Sequence, residues 1–309
     1  MSFPTVIFFH QLVRCPHDEH LFFRNATTPE QFRSLMVRAK ERYCPISMEE
    51  MYRGWENGRQ WPKRAVLITF DDGFRNNLWA ARILHELGMS AVFFVCSDVV
   101  DSDFKPWYIR FRHILTTRRL DTCTLGPYDV DLRYPLQRWH WLATLKEYIL
   151  SLSPSQCDAA LDELASKLEA TPIDLKDENY QYMTGADLRE LCDLGMCVGS
   201  HSASHTNLTR CDDRELRREI VESRERLTAL AGQPVEYMSY PDGRFNDRVI
   251  DMTSKHYRLA FAATWMYPAD NPWCYPRRNA DNKGIQVLGP WYPVKRRFIG
   301  MVKRCLHVR

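Results

Sequence analysis

No run of eighteen or more apolar residues occurs in this 309-residue chain, so no segment reads as a membrane-spanning helix. Nor is there a Cys-x-x-Cys pair. The ten cysteines are scattered from Cys15 to Cys305, which fits reduced thiols better than a disulfide framework or a structural zinc site, and no chemistry is assigned to them. The opening MSFPTVIFFHQLVR has neither the basic start, the long apolar stretch nor the small-residue cleavage site of a secretory signal, and reads as a strand of the fold. The expected location is therefore the cytoplasm. A net charge of +3 is too small to point to nucleic acid, and internal repeats and low-complexity tracts are missing. One further absence is local: after Asp281 there is no acidic residue, while Lys295, Arg296, Arg297, Lys303, Arg304 and Arg309 alternate with Trp291, Phe298, Ile299, Met301, Val302 and Leu306. This basic tail, about 290–309, reads as a helix packed on the domain with a solvated basic face, or as an amphipathic helix touching an anionic membrane surface.

What is present is ordinary globular composition, 45% hydrophobic and 26% charged, with strand-like runs alternating with helical patterns. TVIFFH (5–10), AVLITF (65–70), SAVFFV (90–95), MCVGS (196–200), VEYMSY (235–240) and LAFAAT (259–264) are short and apolar, as buried parallel strands are. Helices are expected from Pro29, up to Gly88, from Thr184 to Gly195, and along DDRELRREIVESRERLTALAG up to Gly232. The pattern predicts an α/β fold, either a barrel or a doubly wound sheet. Between about 101 and 181 it is interrupted by three helical segments and a hairpin around CTLGPYDVDLRY, a mostly helical insertion over one face.

Two motifs carry chemistry. LITFDDGF runs a buried strand into adjacent carboxylates, Asp71 and Asp72, and GSHSASHTNLTR places His201 and His205 four apart just after another strand. Alone, a DDG triplet is an ordinary turn and His-x3-His two surface histidines. Together, each at a strand end, they suit a divalent metal: two imidazoles and one carboxylate as ligands, with the second carboxylate left to accept a proton. Neighbouring side chains at a strand end diverge, so the two aspartates do different jobs.

These residues resemble the polysaccharide deacetylases with a NodB-like domain, also called carbohydrate esterase family 4. Thr69–Gly73 matches the family's TFDDG motif, His201–His205 its H(S/T)xxH motif, and Ser239–Gly243 is an altered form of its strand-end RPPYG or AYPYG motif. TTPEQFRSLM, ISMEEM, WPKRAVLITFDDGFRNN and GMSAVFFV fit the surrounding sequence of elements. The resemblance implies a single domain over 1–309, a distorted (β/α) barrel of about seven parallel strands, that removes an N-acetyl group from an amino sugar. It implies that Asp72, His201 and His205 bind the metal, that Asp71 is the general base, and that a backbone N–H near Asp242, beside Tyr240, meets the oxyanion. Zinc suits two nitrogens and one oxygen, with cobalt, nickel or manganese as alternatives.

Two departures stand out. The family's late LxH histidine is missing, and His10 in VIFFHQL resembles relatives that carry this motif at the N-terminus, which makes it the expected general acid. Ser239 stands where many members have an arginine that orients the base; Arg277, in YPRRNADN, either replaces it or is a surface arginine. Tyr240, Trp107, Trp265 and Trp273 are candidates for stacking on a sugar. The expected substrate is an amino-sugar small molecule or a lipid- or nucleotide-linked glycan intermediate. The alternatives are deformylation or another amide hydrolysis at the same site, or a non-catalytic glycan- or metal-binding relative.

Overall fold

The computed structural model describes residues 3–14, 26–177, 180–263, 269–281 and 283–289. The basic tail and Trp265 lie outside them. Among the described residues thirteen strands follow in chain order: β1 (Thr5–Phe9), β2 (Gln11–Leu12), β3 (Ala26–Thr27), β4 (Cys44–Pro45), β5 (Ala65–Phe70), β6 (Val92–Val95), β7 (Thr122–Leu125), β8 (Tyr128–Asp131), β9 (Cys197–Ser200), β10 (Tyr237–Ser239), β11 (Leu259–Ala262), β12 (Tyr275–Pro276) and β13 (Arg278–Asn279). The main sheet has the order β12-β11-β10-β9-β6-β5-β1-β13, every pairing parallel, with β4 added beside β5. All six residues of β5 and all four of β6 and of β11 are buried, as expected of parallel strands covered on both faces.

One extended segment brings the sheet back on itself. Tyr275 and Pro276 pair with β11 on one side, and Arg278 and Asn279 pair with β1 on the other. The eight strands of the order therefore fill seven positions, since β12 and β13 are halves of one segment, and the sheet nearly closes into a barrel. Arg277 is the residue between the halves.

Helices surround the sheet where their caps predict. Thr28, Ser47 and Thr184 each open a helix with a reciprocal capping box, at Pro29–Arg42, Met48–Glu56 and Gly185–Asp193. The long helix before Gly232 departs from regularity: Arg218–Glu222 winds as a π-helical turn between Asp213–Arg217 and Ser223–Ala231. Residues 107–167 form the helices Trp107–Thr117, Pro135–Ser151 and Pro154–Lys167 and the hairpin of β7 and β8. These elements close round an apolar cluster of their own that includes Trp107, Phe111, Leu125, Leu145, Ile149 and Leu161.

Candidate active site

The doublet at the end of β5 splits in two directions. Asp71 donates its backbone N–H to Phe9 O (2.9 Å), and its carboxylate is gripped by both ends of one guanidinium: Arg277 NH1 at 2.8 Å from Oδ1 and NH2 at 2.7 Å from Oδ2. Arg277 is buried to 1% exposure and lies over the rings of Phe8 and Phe94, 4.7 and 5.4 Å from their centroids. Its NH1 also donates to Thr69 Oγ1 (2.9 Å) and its NH2 to Ser239 Oγ (2.5 Å). A small hydroxyl at 239 thus leaves space for a guanidinium arriving from 277. Burial raises the Asp71 pKa, but Arg277, with a smaller contribution from His201, outweighs it and holds the carboxyl below its usual range.

Asp72 turns the other way, toward the histidines. Its backbone is left-handed (φ 75°), as is Gly73 (φ 82°), where a Cβ would come within 2.6 Å of Val95 Cγ1. Glycine is required there, and it lets the chain swing Asp72 off the strand axis. Asp72 Oδ1 lies 3.6 Å from His201 Nε2 and 3.4 Å from His205 Nε2, is buried, and has no hydrogen-bond partner. His201 donates from Nδ1 to Ser239 O (2.8 Å), which leaves its Nε2 lone pair facing Asp72. Burial, the largest influence, pushes its pKa down to about 4, so the ring is neutral near pH 7. The three ligand atoms lie within 4.8 Å of one another. An orphaned buried carboxylate oxygen with a histidine already set in the ligating tautomer fits a divalent ion, and the N2O donor set fits zinc.

The loop carrying the histidines is shaped by positive φ at Ser202 (68°) and His205 (62°) and pinned by Glu219. Glu219 Oε2 accepts from the backbone N–H of Ala203 and of Ser204, both at 2.9 Å, and Oε1 accepts from Ser204 Oγ (2.8 Å) and Arg218 (2.7 Å). Glu219 sits in the π-helical turn and is 3% exposed. The sequence reading missed it.

His10 follows β1 and lines the same cavity. Its Nδ1 is 2.6 Å from Asp281 Oδ2, and its backbone N–H donates to Asp281 Oδ1 (3.1 Å). Burial lowers its pKa, but the Asp281 charge and hydrogen bond, helped by Asp72 and Asp71, outweigh it and push the value up to about 9. Asp281 was also missed; nothing in RNADN marks it out.

His10, Asp71, Asp72, His201 and His205 line a cavity of about 760 Å³ whose walls include Trp107, Tyr108, Phe111, Trp139, Leu142 and Lys146 from residues 107–146. Tyr108 stands edge-on to His205, 4.5 Å between centroids. Tyr240 contributes to the wall, but it has no exposed surface, its hydroxyl donates to Trp273 O (2.7 Å) and its ring packs on Phe245. It is packing, and the expectation of sugar stacking does not hold for it. Trp273 is packed against the main core and outside the cavity lining, whereas Trp107 and the 45%-exposed Trp139, which was not singled out from the sequence, do line it. Asp242 has a left-handed backbone (φ 52°) and an ion pair with Lys146 at 2.7 Å.

Residues 156–258 match the polysaccharide deacetylase family model, a span that takes in His201, His205 and Asp242. The resemblance is to the polysaccharide deacetylases. Among solved structures, a polysaccharide deacetylase from Bacillus cereus is similar at 17% identity and TM-score 0.59, over 93% of this chain and 67% of the other. A deacetylase from Streptococcus pyogenes, solved with acetate, is similar at 16% identity and TM-score 0.61, over 92% and 96%. IcaB from Ammonifex degensii is similar at 14% identity and TM-score 0.57, over 90% and 91%. At these identities the likeness is one of fold. A comparison with curated protein sequences finds no match.

Proposed function

We propose that the protein is a metal-dependent hydrolase that removes an N-acetyl group from an amino-sugar moiety of a glycan or glycan precursor. The observation that carries this reading is the division of the doublet: Asp71 held ionised by a buried arginine, Asp72 orphaned toward two histidines, both in one cavity. Asp72, His201 and His205 would hold the ion, which supplies Lewis acidity that polarises the amide carbonyl and acidifies a water. Asp71 takes the proton of the attacking water. Both of its oxygens are engaged by Arg277, and each retains a lone pair for that proton. His10, kept protonated by Asp281, gives its proton to the departing amine. The main-chain N–H of Asp242 is assigned to the developing oxyanion. The aromatic wall suits the faces of a pyranose ring, and the substrate proposed for it is an amino sugar of a nucleotide- or lipid-linked intermediate.

Acetate release from a panel of nucleotide-linked N-acetyl sugars, with formylated analogues alongside and with or without chelator, tests the reading. Asp72→Asn is expected to lose both metal and turnover. Asp71→Asn is expected to keep the metal and lose roughly 10²- to 10⁴-fold in rate. Chelator-insensitive hydrolysis, or an Asp71→Asn variant as fast as the parent, rules the mechanism out.

A further inference from the structure

The two histidines of the candidate metal site are not equally supported. His201 has its Nδ1 committed to Ser239 O at 2.8 Å. His205 does not: its Nδ1 is buried without a hydrogen-bond partner, and the atom facing it, Asp242 Oδ2 at 3.8 Å, is also buried and also without one. Two buried polar atoms of complementary kind that face each other without partners are costly to leave apart. A ligating histidine almost always hands its other ring N–H to a carboxylate or carbonyl, which fixes its tautomer and strengthens it as a ligand.

We propose that Asp242 is a positioning residue that orients His205 for the metal, through a carboxylate hydrogen bond that closes when Nε2 takes up the ion. The inference rests on the metal site of the reading above and not on the identity of the acyl group. Closing the gap to hydrogen-bonding range, about 2.8–3.2 Å, needs a movement of roughly 0.6–1 Å. The remainder of the arrangement is in place. Lys146 holds the other oxygen, Oδ1, at 2.7 Å, so Oδ2 is the one presented to the ring. The backbone at Asp242 is left-handed (φ 52°), followed by Gly243 (φ 65°), whose own Cβ would meet the Ala263 backbone N at 3.0 Å. This turn sets the carboxylate against His205, with Oδ2 3.8 Å from Nδ1. Aspartate is among the few residues that tolerate such a conformation.

Two substitutions suit the backbone and separate the outcomes. Asp242→Asn keeps the shape and a neutral acceptor, whereas Asp242→Gly removes the side chain and accommodates the positive φ. Zinc affinity is measured on the purified full chain by competition with a chromophoric chelator, alongside the visible spectrum of the cobalt-loaded protein and the melting temperature without metal. Asp242→Gly is expected to bind zinc about 10- to 100-fold more weakly with an altered cobalt spectrum, Asp242→Asn to fall between it and the parent, and both metal-free proteins to melt close to the parent. The released Lys146, already 41% exposed, is solvated at little cost. Zinc affinities within twofold of the parent in both variants overturn the proposal. So does a metal-free Asp242→Asn protein that melts far below the parent, because Asp242 then belongs to the fold. A parent that takes up no divalent ion overturns this proposal together with the metal site; a parent that binds zinc and follows the expected series but releases no acetate overturns only the deacetylase reading.

Discussion

A general acid must be protonated when the substrate arrives, and an unperturbed imidazole is mostly neutral above pH 7. Asp281 changes that for His10 by accepting from Nδ1 at 2.6 Å, lifting its pKa from 6.5 to about 9. The alkaline limb of kcat/KM should therefore fall near pH 9. Asp281→Asn removes the partner that favours the charged ring and leaves the burial that disfavours it, so the limb should move down by one or more pH units, toward or below 6.5; an unmoved pH profile separates His10 from proton transfer. The sign for stability is the same. A raised folded-state pKa contributes stability that is complete below 6.5 and lost as pH rises through about 9. At this scale Asp71, Asp72, His201 and His205 were readable because two short motifs each joined strand-end polar residues at fixed spacing. Asp281 was not, because a lone aspartate 271 positions from its partner leaves no local pattern.

Elements decide whether those residues meet. The helix leading to Gly232 was legible from its charge pattern and closing glycine, but the π-helical turn inside it was not, since one extra residue in a turn barely disturbs the apolar spacing. That turn belongs to Glu219, which accepts three bonds from Ala203 and Ser204, in the loop between the two histidines, and a fourth from Arg218. Glu219→Ala strands one buried and one part-buried backbone N–H, the buried one at about 1–3 kcal/mol, and should loosen zinc binding and lower the melting temperature together. Glu219→Gln, which retains one acceptor oxygen, should lose less of both; calorimetric melts and zinc titrations in which the two variants match the parent would remove Glu219 from the support of the site. The segment Tyr275–Asn279 was equally hard to read as strand. It carries a proline and two arginines where buried strands have apolar runs, and it pairs by only two residues on each side.

In the molecule as a whole, the barrel holds the reacting groups and residues 107–167 hold much of the cavity wall. Trp139, Leu142 and Lys146 recur at i, i+3 and i+7 on the helix Pro135–Ser151, one face of which therefore looks onto the site. If that face grips the sugar without touching the reacting amide, Trp139→Ala should raise KM for an amino-sugar substrate roughly two- to tenfold, the worth of one aromatic contact, with kcat held. Steady-state kinetics showing the loss in kcat alone would move Trp139 from recognition to chemistry. The α/β class was visible as alternation, which left a barrel or a doubly wound sheet open until the family resemblance pointed to a barrel; which tryptophan would face the cavity depended on how residues 107–167 lie over the sheet, which no single stretch encodes.

Arg277 and Asp281 belong to the stretch that closes the barrel, while the groups they support, Asp71 and His10, come from its earliest strands. On the ribosome, Asp71 and His10 emerge long before the residues that pair with them. A nascent chain that already contains both signature motifs thus lacks the arginine that grips Asp71 and the aspartate that pairs with His10 until its closing strand has docked. Formation of these two ion pairs and closure of the barrel are therefore a single event.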